Sequence, residues 1–252
     1  MKLPVYAEVH SDGRVMAHPY PLPGCISRGG SLEEALTGLA EQIEGYYRWL
    51  AHHQWPVPDP QREWELIEVR QEGAPFQSGD AAALFPPDMI PPSDGELESY
   101  FRLMAFSRRD LLAIVDPLPE EKRKKVYKEG KRTIEEILWH IAHAEEWYVS
   151  RLGIIPALKQ FDSFPGGQRE YLSAVREMAI ARLRSLQSLE RATVYRIPEF
   201  TDHPDEPWTL RKTLRRFLEH EREHTDNIAH FLQEEPEIGP SGSWKYDSSS
   251  LI

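Results

Sequence analysis

A single cysteine, Cys25, stands in 252 residues. No intrachain disulfide can form, and a reducing compartment is expected. No apolar run approaches the roughly 20 residues that a membrane span needs. The opening residues, Met1-Lys2-Leu3-Pro4-Val5-Tyr6-Ala7-Glu8, lack an apolar signal core. Positive charge is also short. Thirty Lys and Arg face 41 Asp and Glu, a net charge of −11, which argues against nucleic acid or an anionic membrane as the main partner. These deficits together lead to the expectation of a soluble cytoplasmic protein. Apolar residues make up 40% of the chain, enough for a packed core in one large domain or two small ones.

Two helical stretches carry the chemistry. The first is Arg216-Phe217-Leu218-Glu219-His220-Glu221-Arg222-Glu223-His224-Thr225-Asp226-Asn227-Ile228. His220 and His224 are four residues apart, about one helical turn, so both imidazoles leave the same face. Phe217, Ile228 and Phe231 share that face, so the histidines point inward. A buried imidazole needs a partner for each ring nitrogen. Two readings answer that need at this helix: a shared divalent metal, or hydrogen bonds inside a core.

The second stretch is Thr133-Ile134-Glu135-Glu136-Ile137-Leu138-Trp139-His140-Ile141-Ala142-His143-Ala144-Glu145-Glu146-Trp147-Tyr148. Thr133 and Glu136 have the spacing of a capping box. Ile134, Ile137, Ile141, Ala144, Tyr148 and Leu152 form a stripe at helical spacing. At roughly 100° per residue His140 borders that stripe, while His143 lies about 60° further round and is expected to face away or cap the surface. His140, His220 and His224 then make a set of three from two helices, with open positions of the kind a reactive metal keeps.

These residues carry a resemblance. His140-Ile141-Ala142-His143-Ala144-Glu145 is similar to the second-helix signature of the DinB-like metalloprotein superfamily, and His220-Glu221-Arg222-Glu223-His224 resembles its fourth-helix H-x-x-x-H motif. The resemblance covers residues 93 to 234. It implies a four-helix bundle with a three-histidine site for zinc, nickel or iron. The reactions it implies include thiol-dependent S-transfer and isomerisation with bacillithiol or mycothiol; the metal-binding half of ergothioneine-forming enzymes is a further relative.

Residues 1–72 read as a small α/β unit. Val5–His10 and Val15–His18 are hairpin strands around Ser11-Asp12-Gly13-Arg14. Ser31 and Glu34 are spaced as a capping box for a helix running to His52, and Trp64–Arg70 alternates as a closing strand. Leu22-Pro23-Gly24-Cys25-Ile26-Ser27-Arg28-Gly29-Gly30-Ser31-Leu32-Glu33-Glu34-Ala35-Leu36 resembles a segment of HicB-like antitoxin domains. That resemblance implies a helix packed on a small antiparallel sheet. In that family a DNA-binding segment and a ribonuclease toxin partner are usual. No such segment follows here, and residues 1–92 hold 13 acidic against 6 basic side chains, so an accessory or interaction role is expected instead. Cys25 is expected to fill a core or turn position rather than act as a nucleophile.

Residues 73–95, rich in Gly, Pro, Ser and Asp, read as a linker whose Phe76, Leu84, Phe85, Met89 and Ile90 dock on a domain surface. The bundle is expected over 96–234, with helices at Gly95–Val115, Thr133–Gly153, Gln168–Leu189 and one N-capped by Thr209. Residues 235–252 read as a polar tail. Lys122-Arg123-Lys124-Lys125 is a basic run open to solvent or to an anionic substrate. Glu221 falls on the buried stripe of its helix, where it either orients a ligand histidine or pairs with an arginine of a neighbouring helix. Glu145 lies at a stripe edge, as a structural group or an acid or base. Glu221 and Glu145 are thus the candidate catalytic residues, and Trp147 a candidate pocket wall.

The expected fold is therefore an α+β N-terminal domain followed by an all-α four-helix bundle. The expected function is a divalent-metal protein acting as a low-molecular-weight-thiol S-transferase or hydrolase. The alternative is a binding module in which the N-terminal domain recognises a protein and the bundle is a scaffold. The expected partners are a small-molecule substrate and, as a homodimer, a second copy; nucleic acid and membrane are not expected.

Overall fold

The computed structural model describes residues 2–57, 59–72, 82–128, 131–153 and 164–233. The chain forms two compact units. One comprises Met1–Met89 with Pro198–Glu206, the other Ile90–Ile197 with Pro207–Leu251. Residues 73–81 of the expected linker, including Phe76, and the expected C-terminal tail lie outside the described residues.

The first unit is built on a sheet of β1 (Leu3–Val9), β2 (Val15–Pro19), β3 (Ser27–Gly29) and β4 (Trp64–Gln71), in the order β3-β2-β1-β4. β1 and β2 form the expected hairpin, with Val5 opposite Pro19 and Val9 opposite Val15. The turn between them is shaped by Gly13 at φ 85° and by Asp12, whose carboxylate accepts the Arg14 N–H at 3.2 Å. β4 departs from expectation, for it runs parallel to β1. The sheet is mixed, not antiparallel. The helix α1 (Leu32–His52) lies between β3 and β4 in the chain and supplies the long crossover that a parallel neighbour requires.

Ala35, Leu39, Ile43, Tyr46 and Leu50 form the buried face of α1, spaced so that one stripe meets the core. Ser31 caps the helix by accepting the Glu34 N–H. The Glu34 carboxylate, however, takes the N–H of Gly30, one residue before the cap, so the box is offset from its usual form. Gly29 is required at the strand-to-helix turn, because a Cβ there would lie 2.5 Å from the Ala35 nitrogen. Cys25 is buried, as expected of a small core residue. Residues 82–89 belong to this unit. Phe85 is fully buried beside the rings of Tyr6 and His18, and the Ala83 N–H donates to buried Glu8.

Among the described residues, the second unit contains four long helices, α2 (Asp94–Val115), α4 (Ile134–Ser150), α5 (Gln168–Ser185) and α7 (Leu210–Gln233), with two one-turn helices, α3 (Glu120–Arg123) and α6 (Ser188–Arg191). Complete capping boxes start α2 at Ser93/Glu96 and α4 at Thr133/Glu136, each satisfying two N–H groups that a helix start leaves open. Thr209 Oγ1 accepts the Lys212 N–H at the start of α7. Leu111 and Val115 of α2, Ile134, Ile137, Leu138 and Ile141 of α4, Tyr171, Leu172 and Val175 of α5, and Ile228 of α7 share one apolar core. Each such side chain, fully buried, contributes about 1.5–3 kcal/mol.

The third long helix is shorter than its periodicity predicts. Helical geometry stops at Leu186, which takes φ −62° and ψ 125°. A capping box between Gln187 and Glu190 starts α6 there. Leu186 stays buried while Leu189 is 82% exposed, so a local cap wins over the continued stripe. Among the described residues, no helix is long and apolar enough to cross a membrane.

Candidate metal centre

α7 carries its site on a strongly amphipathic surface. Leu210, Leu214, Phe217, Leu218 and Ile228 are buried, and His220 lies among them at 8% exposure. His224 follows one turn later, about 40° round the axis. α4 packs against α7 and presents His140. The three imidazoles meet edge to edge. The Nε2 of His220 is 3.0 Å from that of His140 and 3.2 Å from that of His224. Ring centroids are 4.8, 4.9 and 4.5 Å apart, at interplanar angles of 61°, 87° and 79°. The near-perpendicular planes let three ring edges converge without stacking. One donor atom from each residue lies within 4.8 Å of the other two.

Burial, first, and then the neighbouring imidazole of His224 hold His140 and His220 well below the ordinary histidine range. Arg132 adds to both shifts, and His140 and Arg216 act further on His220. Neutral imidazoles are the form that ligates metals. Imidazole nitrogens bind zinc at about 2.0–2.1 Å. Donors of such a set are about 3.3 Å apart in a tetrahedron and about 2.9 Å apart in an octahedron. The observed 3.0 and 3.2 Å separations fall between, so the residues fit a divalent ion. A single proton on His220 Nε2 serves two facing nitrogens poorly, whereas one cation satisfies three lone pairs together.

His143 turns away from the His220/His224 helix, as its angle predicts, but it does not cap the surface. It is buried at 9% exposure, between the Trp139 ring, 6.4 Å away, and the Tyr171 ring, 5.4 Å away. The reason is that α4 packs on α5 as well as on α7. A helix with two covered faces sends His140 to one neighbour and His143 to the other. Trp147 lies against Trp208 at 5.3 Å and under the Arg151 guanidinium at 4.7 Å. The basic run is partly tied down: Lys124 pairs with Glu120, and Arg123 donates to the Leu118 carbonyl at 2.6 Å.

Glu145 and Glu221 come together in a second polar cluster. Arg108 of α2 donates to Glu145 at 2.7 Å and also to Glu221. Arg176 of α5 donates to Glu145 at 2.9 Å and to Glu221 at 3.1 Å. Both carboxylates are 1% exposed. Burial alone would raise the Glu221 carboxyl; the guanidiniums of Arg108 and Arg176 more than offset it and leave it below its ordinary value. Each arginine also reaches a backbone carbonyl, Arg108 that of Leu172 at 2.9 Å and Arg176 that of Met104 at 3.0 Å. Sequence reasoning named neither arginine. The signal was present. Arg108 continues the apolar series Leu97, Phe101, Met104, and Arg176 sits among Leu172, Ala179 and Leu183. Each interrupts a buried stripe with a charge, and such an interruption needs an opposite charge on a facing stripe.

A family model described as the DinB superfamily matches residues 103–228, half of the chain. No curated protein matches. A solved structure, described as YfiT from Bacillus subtilis, a probable metal-dependent hydrolase with an unusual four-helix bundle topology, is similar at 16% identity and a TM-score of 0.45, over 62% of this chain and 95% of that one. The comparisons do not bear on the HicB-like resemblance of residues 22–36.

Proposed function

The chain belongs to the DinB superfamily, and from that premise we propose that it is a divalent-metal-dependent enzyme, a low-molecular-weight-thiol S-transferase or a hydrolase, with His140, His220 and His224 as the metal ligands. The observation that carries the reading is the convergence of three Nε2-bearing edges, with His220 within 3.0 and 3.2 Å of its two neighbours. Imidazole donors suit zinc, nickel or iron. When bound, such an ion supplies a Lewis acid that lowers the pKa of a bound water or thiol toward neutrality.

The chain's own residues supply the setting. Burial keeps His140 and His220 neutral, ready to donate lone pairs. Three ligands leave room for substrate, and all three sit on helices, which hold a ligand set more closely than loops. Tyr148, buried with its ring 5.9 Å from His220, keeps water from that side of the imidazole. Glu145 and Glu221 are each engaged by two guanidiniums, and a carboxylate so paired is a poor proton shuttle. For residues 1–72 the proposed role is an accessory HicB-like interaction domain.

Metal content of the purified protein tests the site. Near-stoichiometric metal is expected for wild type, and strongly reduced metal for His140→Ala, His220→Ala and His224→Ala. Wild-type metal content in all three variants would overturn the ligand assignment. Turnover of the metal-loaded protein with a panel of thiols and electrophiles, against ester and amide substrates, then separates transfer from hydrolysis.

A further inference from the structure

The cluster of Arg108, Glu145, Arg176 and Glu221 draws one residue from each long helix of the second unit: α2, α4, α5 and α7. Each arginine bridges both glutamates, so the four close into a ring of ion pairs with no net charge. Their side chains are 11%, 2%, 8% and 1% exposed. We propose that this ring is a registry device: Arg108, Glu145, Arg176 and Glu221 are positioning residues that hold α4 and α7 at the rotation and height where His140, His220 and His224 converge. The inference rests on the metal-site reading and adds to it the groups that keep the ligands in place.

Stability alone does not account for the ring. Four charges withdrawn from water are costly, and apolar side chains of similar volume commonly serve a core as well or better. What apolar contacts supply poorly is register, since leucine and isoleucine pack tolerably in shifted positions. Ion pairs do not. A one-residue rotation turns a side chain by about 100°, and a one-turn slide moves it about 5.4 Å, either of which opens every bridge in the ring.

The two helices that carry the histidines need such a tie. Glu145 and Glu221, on α4 and α7, repel each other. The guanidiniums from α2 and α5 supply the attraction, and their bonds to the Leu172 and Met104 carbonyls anchor them to the opposite helix of their own pair. Glu221 directly follows His220, and Glu145 lies five residues, about 7.5 Å of rise, beyond His140. Ring and histidine set are thus two linkages between the same pair of rigid helices. Fixing one orients the other.

Two variants separate registry from stability. The quadruple variant Arg108→Met, Glu145→Leu, Arg176→Met, Glu221→Leu removes every charge; Glu221→Gln keeps the shape and weakens two bridges. Zinc affinity is measured by competition with a chromophoric chelator, and thermal unfolding is measured without metal. A metal-free readout adds pulsed EPR on nitroxides at Glu135→Cys of α4 and at exposed Asp226→Cys of α7; Cys25 is buried. The quadruple variant should unfold at or above the wild-type temperature, bind zinc about 10–100-fold more weakly, and show a broadened label distance. Wild-type zinc affinity with an unchanged distance distribution overturns the proposal. Should the quadruple variant fail to fold, Glu221→Gln decides by the same two readouts. If wild type itself binds no metal, the site reading falls, and the EPR comparison still decides registry: broadening supports it, an unchanged distribution overturns it.

Discussion

Replacing His220 by alanine should separate metal binding from folding. His220 is the hub of the histidine set, 3.0 Å and 3.2 Å from its two neighbours. Structural zinc sites of four ligands bind with about 10–16 kcal/mol, or about 2.5–4 kcal/mol per ligand. Loss of one ligand therefore weakens binding by about a hundredfold to a thousandfold. At a metal concentration about 100 times the wild-type dissociation constant, binding stabilises the folded state by about 2.7 kcal/mol. For a unit of this size each kcal/mol moves the midpoint by about 2–4 °C, so metal should raise the wild-type transition by about 5–11 °C. In His220→Ala the same concentration is no more than about its own dissociation constant. The gain then falls to about 0.4 kcal/mol or less, under about 2 °C. Without metal the variant should stay within about 1 kcal/mol of wild type, because a small cavity is offset by relief of a crowded polar cluster. The assay is thermal unfolding with and without zinc, nickel, cobalt or iron(II), following the helical signal. A metal-induced shift in His220→Ala equal to that of wild type refutes the reasoning, as does the absence of any shift in wild type.

Three further outcomes are expected. His143→Ala should leave metal content unchanged but cost about 1–3 kcal/mol in urea unfolding, because the ring fills a buried gap between Trp139 and Tyr171; loss of metal in this variant would redraw the ligand set around His143. Glu145→Gln should destabilise by about 3–5 kcal/mol, since it leaves two buried guanidiniums with one carboxylate, and a cost below about 1 kcal/mol would contradict the buried-ring energetics. The third concerns pH. The Arg211 side-chain hydrogen bond, first, and the Ser93 N–H hold the Glu96 carboxyl at about 2, below its ordinary 4.5. A depressed carboxyl stabilises the fold above its ordinary value and loses that contribution as pH falls from 4.5 toward 2. The side chain is 48% exposed, so screening limits the effect to about 1 kcal/mol. Urea midpoints at pH 7 and pH 3 should differ more in wild type than in Glu96→Gln, and equal differences would remove Glu96 from the acid response.

What the sequence determined by itself was local. The boxes at Thr133/Glu136 and the cap at Thr209 are legible because each bond spans three residues. The shared face of His220 and His224 follows from helical geometry alone. Tertiary structure decided whatever depends on a distant neighbour. Nothing near β4 in the chain states that it will lie parallel to β1; that follows from where α1 returns it. The angle of His143 is the same in sequence and structure, yet its surroundings depend on α5 covering a second face of α4. Leu189 satisfies the stripe of α5 and still faces water, because the Gln187/Glu190 box ends the helix first. The partners of Glu145 and Glu221 could be named only once four helices were in place. A charge on a buried stripe tells the reader that an opposite charge must exist, but pairing energy falls with distance in space, not along the chain. The same holds for the histidine set: periodicity aims each ring inward, and only the packing of α4 on α7 brings three nitrogens to one point.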